Sequence, residues 1–141
     1  MLSLFIFVSS YAQKDPKVKF KKGIVTVDGV PFLKVEKMKG INARTVYNMQ
    51  DEKLFFFRID SYTDIDKISD SNPKGNVSYS SVFQGEGTEV LFEYGFGFKP
   101  FGKLLLEFEV IDDNGQIIEE NLEKMAAMVG MEYSRNRDSR R

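Results

Sequence analysis

Apolar and polar residues alternate at every second position through much of residues 17–96, and apolar residues recur at every third or fourth position after Pro100. The first rhythm puts side chains on opposite faces of a strand, and the second lines them along one face of a helix. The chain therefore reads as sheet first and helices last. Ile24-Val25-Thr26-Val27 runs into Asp28-Gly29 and then into Val30 and Phe32-Leu33-Lys34-Val35. Asp-Gly between β-branched runs predicts a hairpin, because both residues of its tight turn take positive φ. Pro31 has no N–H for a ladder, so its strand is expected at a sheet edge or with that side exposed. Ala43 to Met49 comes next, with Thr45, Tyr47 and Met49 on one face. Leu54-Phe55-Phe56-Phe57-Arg58-Ile59 then holds an unbroken apolar run, which predicts a strand in the middle of the sheet covered on both faces. Ser61 to Asn76 is polar and predicts a long loop, closed by Asn72-Pro73-Lys74-Gly75. Val77 to Phe83 and Thr88 to Phe96 bring the count to about six strands.

After Pro100 the period changes. Phe101, Leu104, Leu105 and Phe108 share one helical face, Asp112-Asp113-Asn114-Gly115 interrupts it, and Ile118, Leu122, Met125, Ala126 and Val129 share another. Gly130 is placed to end the second helix. Two short amphipathic helices are unstable alone, so the expected fold is α+β: an antiparallel sheet with two C-terminal helices packed on it. Leu105, Phe108, Leu122 and Met125 are expected to be buried there, as is one face of Leu54–Ile59. Residues 13–133 form the expected single domain, and 134–141, which hold no apolar side chain, the expected disordered tail.

The first residues carry a different message. Leu2 to Val8 is uncharged and apolar, and Ser10-Tyr11-Ala12 sets small residues where a signal peptidase reads. Residues 1–12 are thus expected to be a signal peptide, with Gln13 as the first mature residue and the protein periplasmic or secreted. The usual cation before the apolar run is missing. The run falls short of the roughly 20 apolar residues of a stable membrane span.

Composition narrows the chemistry. At 42% hydrophobic and 29% charged, the chain has the balance of a folded globular protein. A net charge of −1 supplies no global field for nucleic acid. Lys14, Lys17, Lys19, Lys21 and Lys22 nevertheless cluster near one terminus, and Arg135, Arg137, Arg140 and Arg141 near the other, and both clusters read as solvated. Cysteine and histidine are both absent. That removes disulfides, thiol catalysis, imidazole bases, and thiolate or imidazole metal sites from this sequence. Thirteen Phe and six Tyr offer a core held by packing alone. No GxSxG, Walker or HExxH pattern occurs.

Three constellations remain. Phe92, Tyr94, Phe96 and Phe98 recur at period two, either as plain core or as the floor of an apolar ligand groove. Asp64, Asp66 and Asp70, interleaved with Ser61, Ser69 and Asn72, offer oxygens at a spacing that suits a hard cation. Val110 to Asn121 resembles the calcium loop of an EF-hand: Asp112 and Asn114 match ligand positions, Gly115 the invariant glycine, and Ile117 the apolar position after it. Val110 and Asn121 stand where that loop has its first Asp and its bidentate Glu, so the resemblance implies the turn geometry with most of the ion's charge removed. Gly95-Phe96-Gly97 lacks the βαβ setting of a dinucleotide loop, and Asn76-Val77-Ser78 matches a glycosylation sequon by pattern alone.

As a whole the chain resembles a group of small exported proteins from flavobacteria and their relatives. The resemblance rests on the signal ending in Tyr-Ala-Gln, the start KVKFKKGIVTVDG, and the phrase LLLEFEVIDDNGQIIEENLEKMAAMVG. It implies location and carries no catalytic signature. The expected function is a non-catalytic binding module, without cofactor, for an envelope or extracellular protein or a small apolar ligand. The alternative is a carboxylate-based hydrolase of the cell envelope using residues such as Glu86, Glu89 and Glu93, which requires two of them to converge in one cleft.

Overall fold

The computed structural model describes residues 15–139, and the expected signal, residues 1–12, lies outside them. Seven strands run β1 (Val18–Lys21), β2 (Ile24–Val27), β3 (Val30–Lys37), β4 (Ala43–Tyr47), β5 (Lys53–Thr63), β6 (Asn76–Gln84) and β7 (Phe92–Tyr94). Each pairs antiparallel with the next, in the order β1-β2-β3-β4-β5-β6-β7, so the sheet is an unbroken meander. Helices α1 (Phe98–Glu107), α2 (Glu119–Val129) and the short α3 (Tyr133–Ser139) follow. The α+β class is as expected, with one strand more.

That strand is β1, hidden by its lysines. Lys19 and Lys21 point to solvent while Val18 is buried and Phe20 lies against Phe98, with ring centroids 5.4 Å apart. Part of the lysine cluster is thus the outer row of an edge strand, where cations discourage pairing with another chain. Asp28-Gly29 forms the expected tight turn, with φ of 50° and 83°. Of the two expectations for Pro31 the edge one falls, because β3 lies inside the sheet, while Pro31 itself is exposed. It is tolerated because it sits at a register shift opposite Thr26, ahead of Lys34, where pairing with β4 begins. The polar segment from Ser61 begins as strand, since Ser61, Tyr62 and Thr63 extend β5 and pair with Ser78, Val77 and Asn76.

The sheet curls around α1. Phe101 touches Phe55, Phe57 and Tyr94 on β5 and β7, while a Cβ on Gly102 would lie 2.9 Å from Val25 on β2 and 3.4 Å from Val18 on β1. Leu105, Leu122 and Met125 are buried as expected, and Phe108, which caps α1, is half-buried against the same core. β5 lies inside the sheet, and Phe55 and Phe57 fill its core side. Near its start the other side is covered by neighbouring side chains: Phe56 against Phe83 at 5.8 Å, and Arg58 over the Phe83 ring. Along Phe56 and Arg58 helices thus pack on the core face alone, and the expected cover on the other is a single layer of side chains.

Candidate functional site

The densest group of titratable side chains lies on the outer face of β5, β6 and β7. Asp60 and Tyr79 are cross-strand partners there, and so are Ser81 and Glu93. The chain after α2 passes round the β7 edge onto this face. Gly130 makes the passage, since a Cβ there would lie 2.9 Å from the Ala126 carbonyl and 3.2 Å from Phe92. Its φ is −67°, so close approach explains the glycine, and the left-handed cap favoured at helix ends does not form. Met131 N–H then donates to the Glu93 carbonyl at 3.3 Å, and Ser134 N–H to the Glu93 carboxylate at 2.9 Å. Tyr133 stacks on Tyr79, 5.2 Å between centroids and 5° from parallel, and its hydroxyl occupies the space a Cβ on Gly95 would need. Arg137 donates to Asp60 at 2.7 Å and to the Tyr79 hydroxyl at 2.9 Å.

Residues 131–139 therefore form a clasp. Where a frayed tail is expected beyond Tyr133, α3 docks by an aromatic stack and an ion pair, neither of which needs an aliphatic residue. The Ser61 N–H holds the Asp60 carboxyl below the usual carboxylate range, with Arg137 adding to it against the opposing effect of burial. Burial pushes the phenols of Tyr79 and Tyr133 up, so both stay neutral donors. This arrangement positions charge for structure. Each carboxylate is taken up by an N–H, a hydroxyl or a guanidinium.

The sign of the pH effect follows. The part of the Asp60 depression that comes from Arg137 stabilises the folded clasp above the unfolded Asp pKa of about 3.9, and that contribution is lost as pH falls through the lower folded value. Hydrogen exchange at Met131 and Ser134 is expected to quicken below about pH 4 relative to core amides. Arg137→Ala should bring faster exchange already at neutral pH and flatten that dependence. Unchanged exchange in Arg137→Ala would show the clasp held by the tyrosine stack alone.

The aromatic stripe divides. Phe92 and Tyr94 are buried in the core, and burial pushes the Tyr94 phenol far up. Phe98 is half-buried against Phe57 and Phe20, and Phe96 is exposed with its ring beside Tyr94. Shallow grooves among the described residues include two of about 340 and 490 Å³. Leu91, Leu122 and Ala126 form the apolar side of the smaller, with Glu119 and Glu123 beside them; Lys37, Met38, Lys39 and Ile41 line the larger. Neither groove is lined by the stripe.

In the EF-hand-like segment, Asp112 accepts the N–H groups of Asn114 and Gln116 at 2.8 and 2.9 Å, and Gly115 takes φ of 78°. The turn leans on the β4–β5 connection, where Asn48 donates to the Gly115 carbonyl at 2.9 Å and Gln116 to Glu52 at 2.6 Å. Asp64 caps a 3₁₀ turn at Ile65–Lys67 by accepting the Asp66 N–H at 2.9 Å. Among the described residues, no three or more Asp or Glu side chains gather in a way that could hold a metal ion. Glu86 pairs with Lys53 in the β6–β7 connection, Glu89 is exposed, and Glu93 is engaged by the clasp. No family model, curated protein or solved structure matches the chain.

Proposed function

We propose that this chain is an exported, non-catalytic module that binds an envelope or extracellular protein through its surface. The observation that carries this reading is the filled interior. Phe55, Phe57, Tyr94 and Phe101 meet at 4.9 to 6.5 Å between ring centroids, in the space an enclosed apolar ligand would need. The engaged carboxylates and the missing histidine and cysteine favour binding over catalysis. Export rests on Leu2–Ala12 and on the likeness to small flavobacterial exported proteins. Fatty acids and similar apolar ligands are expected to leave the thermal midpoint unmoved. A ligand binding the native state at a hundredfold excess over its Kd would instead add about 2.7 kcal/mol, and a rise of that size would overturn the reading. A photo-crosslinking residue at exposed Phe96 should capture one discrete protein in cells that export the chain. Mass spectrometry of that exported protein should read Gln13 first, whereas an intact Met1 would remove export.

A further inference from the structure

A meander sends alternate connections to opposite ends of its sheet, and here the two ends differ in charge. The β2–β3, β4–β5 and β6–β7 connections carry Asp28, Asp51, Glu52, Glu86 and Glu89, flanked by Lys17 and Lys53, the latter paired with Glu86. The β1–β2 and β3–β4 connections, at the other end, carry Lys22 and Lys39, flanked by Lys21 and Lys37. The β5–β6 loop at that end adds Lys67 and Lys74 against Asp64, Asp66 and Asp70, and so no net positive charge. A net charge of −1 conceals this polarity. Aliphatic side chains protrude at both ends, Val30, Met49 and Val90 at the acidic one and two groups beside lysines at the basic one. Met38 and Ile41 are 39% and 52% exposed on the β3–β4 tip, in the shallow groove they share with Lys37 and Lys39. Ile65 and Ile68 are 75% and 53% exposed in the β5–β6 loop.

We infer that the β3–β4 tip is a docking surface for an anionic phospholipid bilayer. Met38 and Ile41 enter the boundary between headgroups and acyl chains, while Lys37 and Lys39 keep their ammonium groups among the phosphates by running their stems along the same boundary. Lys21 and Lys22 add to the field, and each lysine near an anionic leaflet strengthens binding by about fivefold. A bilayer fits better than an acidic protein because the tip offers short aliphatics beside cations and lacks aromatic anchors, while its one arginine, Arg44 opposite Lys37, is half-buried and donates to the Ala43 carbonyl. This goes beyond the protein-binding reading and fails separately from it, since Phe96 follows β7, three strands from β4, and none of the tip variants alters it.

The test is sedimentation of the full chain with vesicles of phosphatidylglycerol and phosphatidylcholine, or of phosphatidylcholine alone. Leu2–Val8 is common to all variants, so differences between them report on the tip. Binding is expected to be at least tenfold tighter to the anionic vesicles and to weaken with salt. Lys37→Glu with Lys39→Glu should reduce it by roughly tenfold or more, given about fivefold per cation, and Met38→Ser with Ile41→Ser should separately reduce it by roughly tenfold through lost apolar burial. Both pairs should keep the wild-type thermal midpoint, and Glu89→Gln at the acidic end should bind as wild type. Equal binding to the two vesicle types, or undiminished binding by both tip variants, would overturn the proposal. So would capture by soluble polyphosphate with vesicles ignored, which would make the tip a general polyanion site.

Discussion

Phe101→Ala is expected to lower folding stability by about 3–5 kcal/mol, the range for truncating a fully buried aromatic. Phe101 is 1% exposed and meets Phe55, Phe57 and Tyr94 at 5.2, 4.9 and 5.7 Å between centroids, each edge-on. It is the side chain that ties α1 to β5 and β7 together, so its loss leaves a cavity at the axis of the curl. Removing the ring forfeits its transfer free energy, and the rigid strands around it cannot close the gap. Urea denaturation would read the change as a lower midpoint with an unaltered slope. A loss under about 1 kcal/mol would mean that the core collapses around the hole, contrary to close packing. Phe96→Ala is the matched control. Its ring is exposed, so a change within about 0.5 kcal/mol is expected.

Gly102→Leu should be comparably damaging for the opposite reason. Glycine inside a helix ordinarily costs about 1 kcal/mol against alanine, so at an open site a side chain here would stabilise. Gly102 instead faces Val25 at 2.9 Å and Val18 at 3.4 Å from where a Cβ would stand. Both neighbours are β-branched and buried, with little rotamer freedom to give way. Overpacking of this kind costs about 1–3 kcal/mol, and an isobutyl group should reach or exceed the upper end. Gly102→Ala sets helix propensity against the clash and is expected to come out neutral to mildly destabilising. If Gly102→Ala stabilised by about 1 kcal/mol, the propensity gain alone would account for it, and α1 would stand further from β1 and β2 than described here. Thermal denaturation of the two variants side by side makes the comparison.

Residue by residue, local chemistry decided a good deal. Asp28-Gly29 specified its hairpin because only a few residue types accept positive φ at both turn positions. The helical spacing of Phe101, Leu104, Leu105 and then of Leu122 and Met125 specified α1 and α2, because a single apolar stripe has one low-energy partner, the sheet. Asp112 and Gly115 specified a tight turn, and the losses at Val110 and Asn121 removed most of the charge a cation would need. Other features were settled only by contacts between distant segments. β1 reads as a charged run because half of any edge strand faces water, and only pairing with β2 makes Val18 and Phe20 its inner row. Pro31 could sit inside the sheet because β4 is too short to reach it. The stripe of Phe92, Tyr94, Phe96 and Phe98 is one pattern in sequence and three environments in space, since β7 ends at Tyr94 and α1 begins at Phe98. The clasp had no local signal at all. Tyr133 and Arg137 lie in a polar stretch, and their partners Tyr79, Gly95 and Asp60 are brought beneath them only by the chain's turn around β7. Periodicity reports what each segment must bury. Which surface buries it depends on strand lengths and register, and those are set by the assembled sheet.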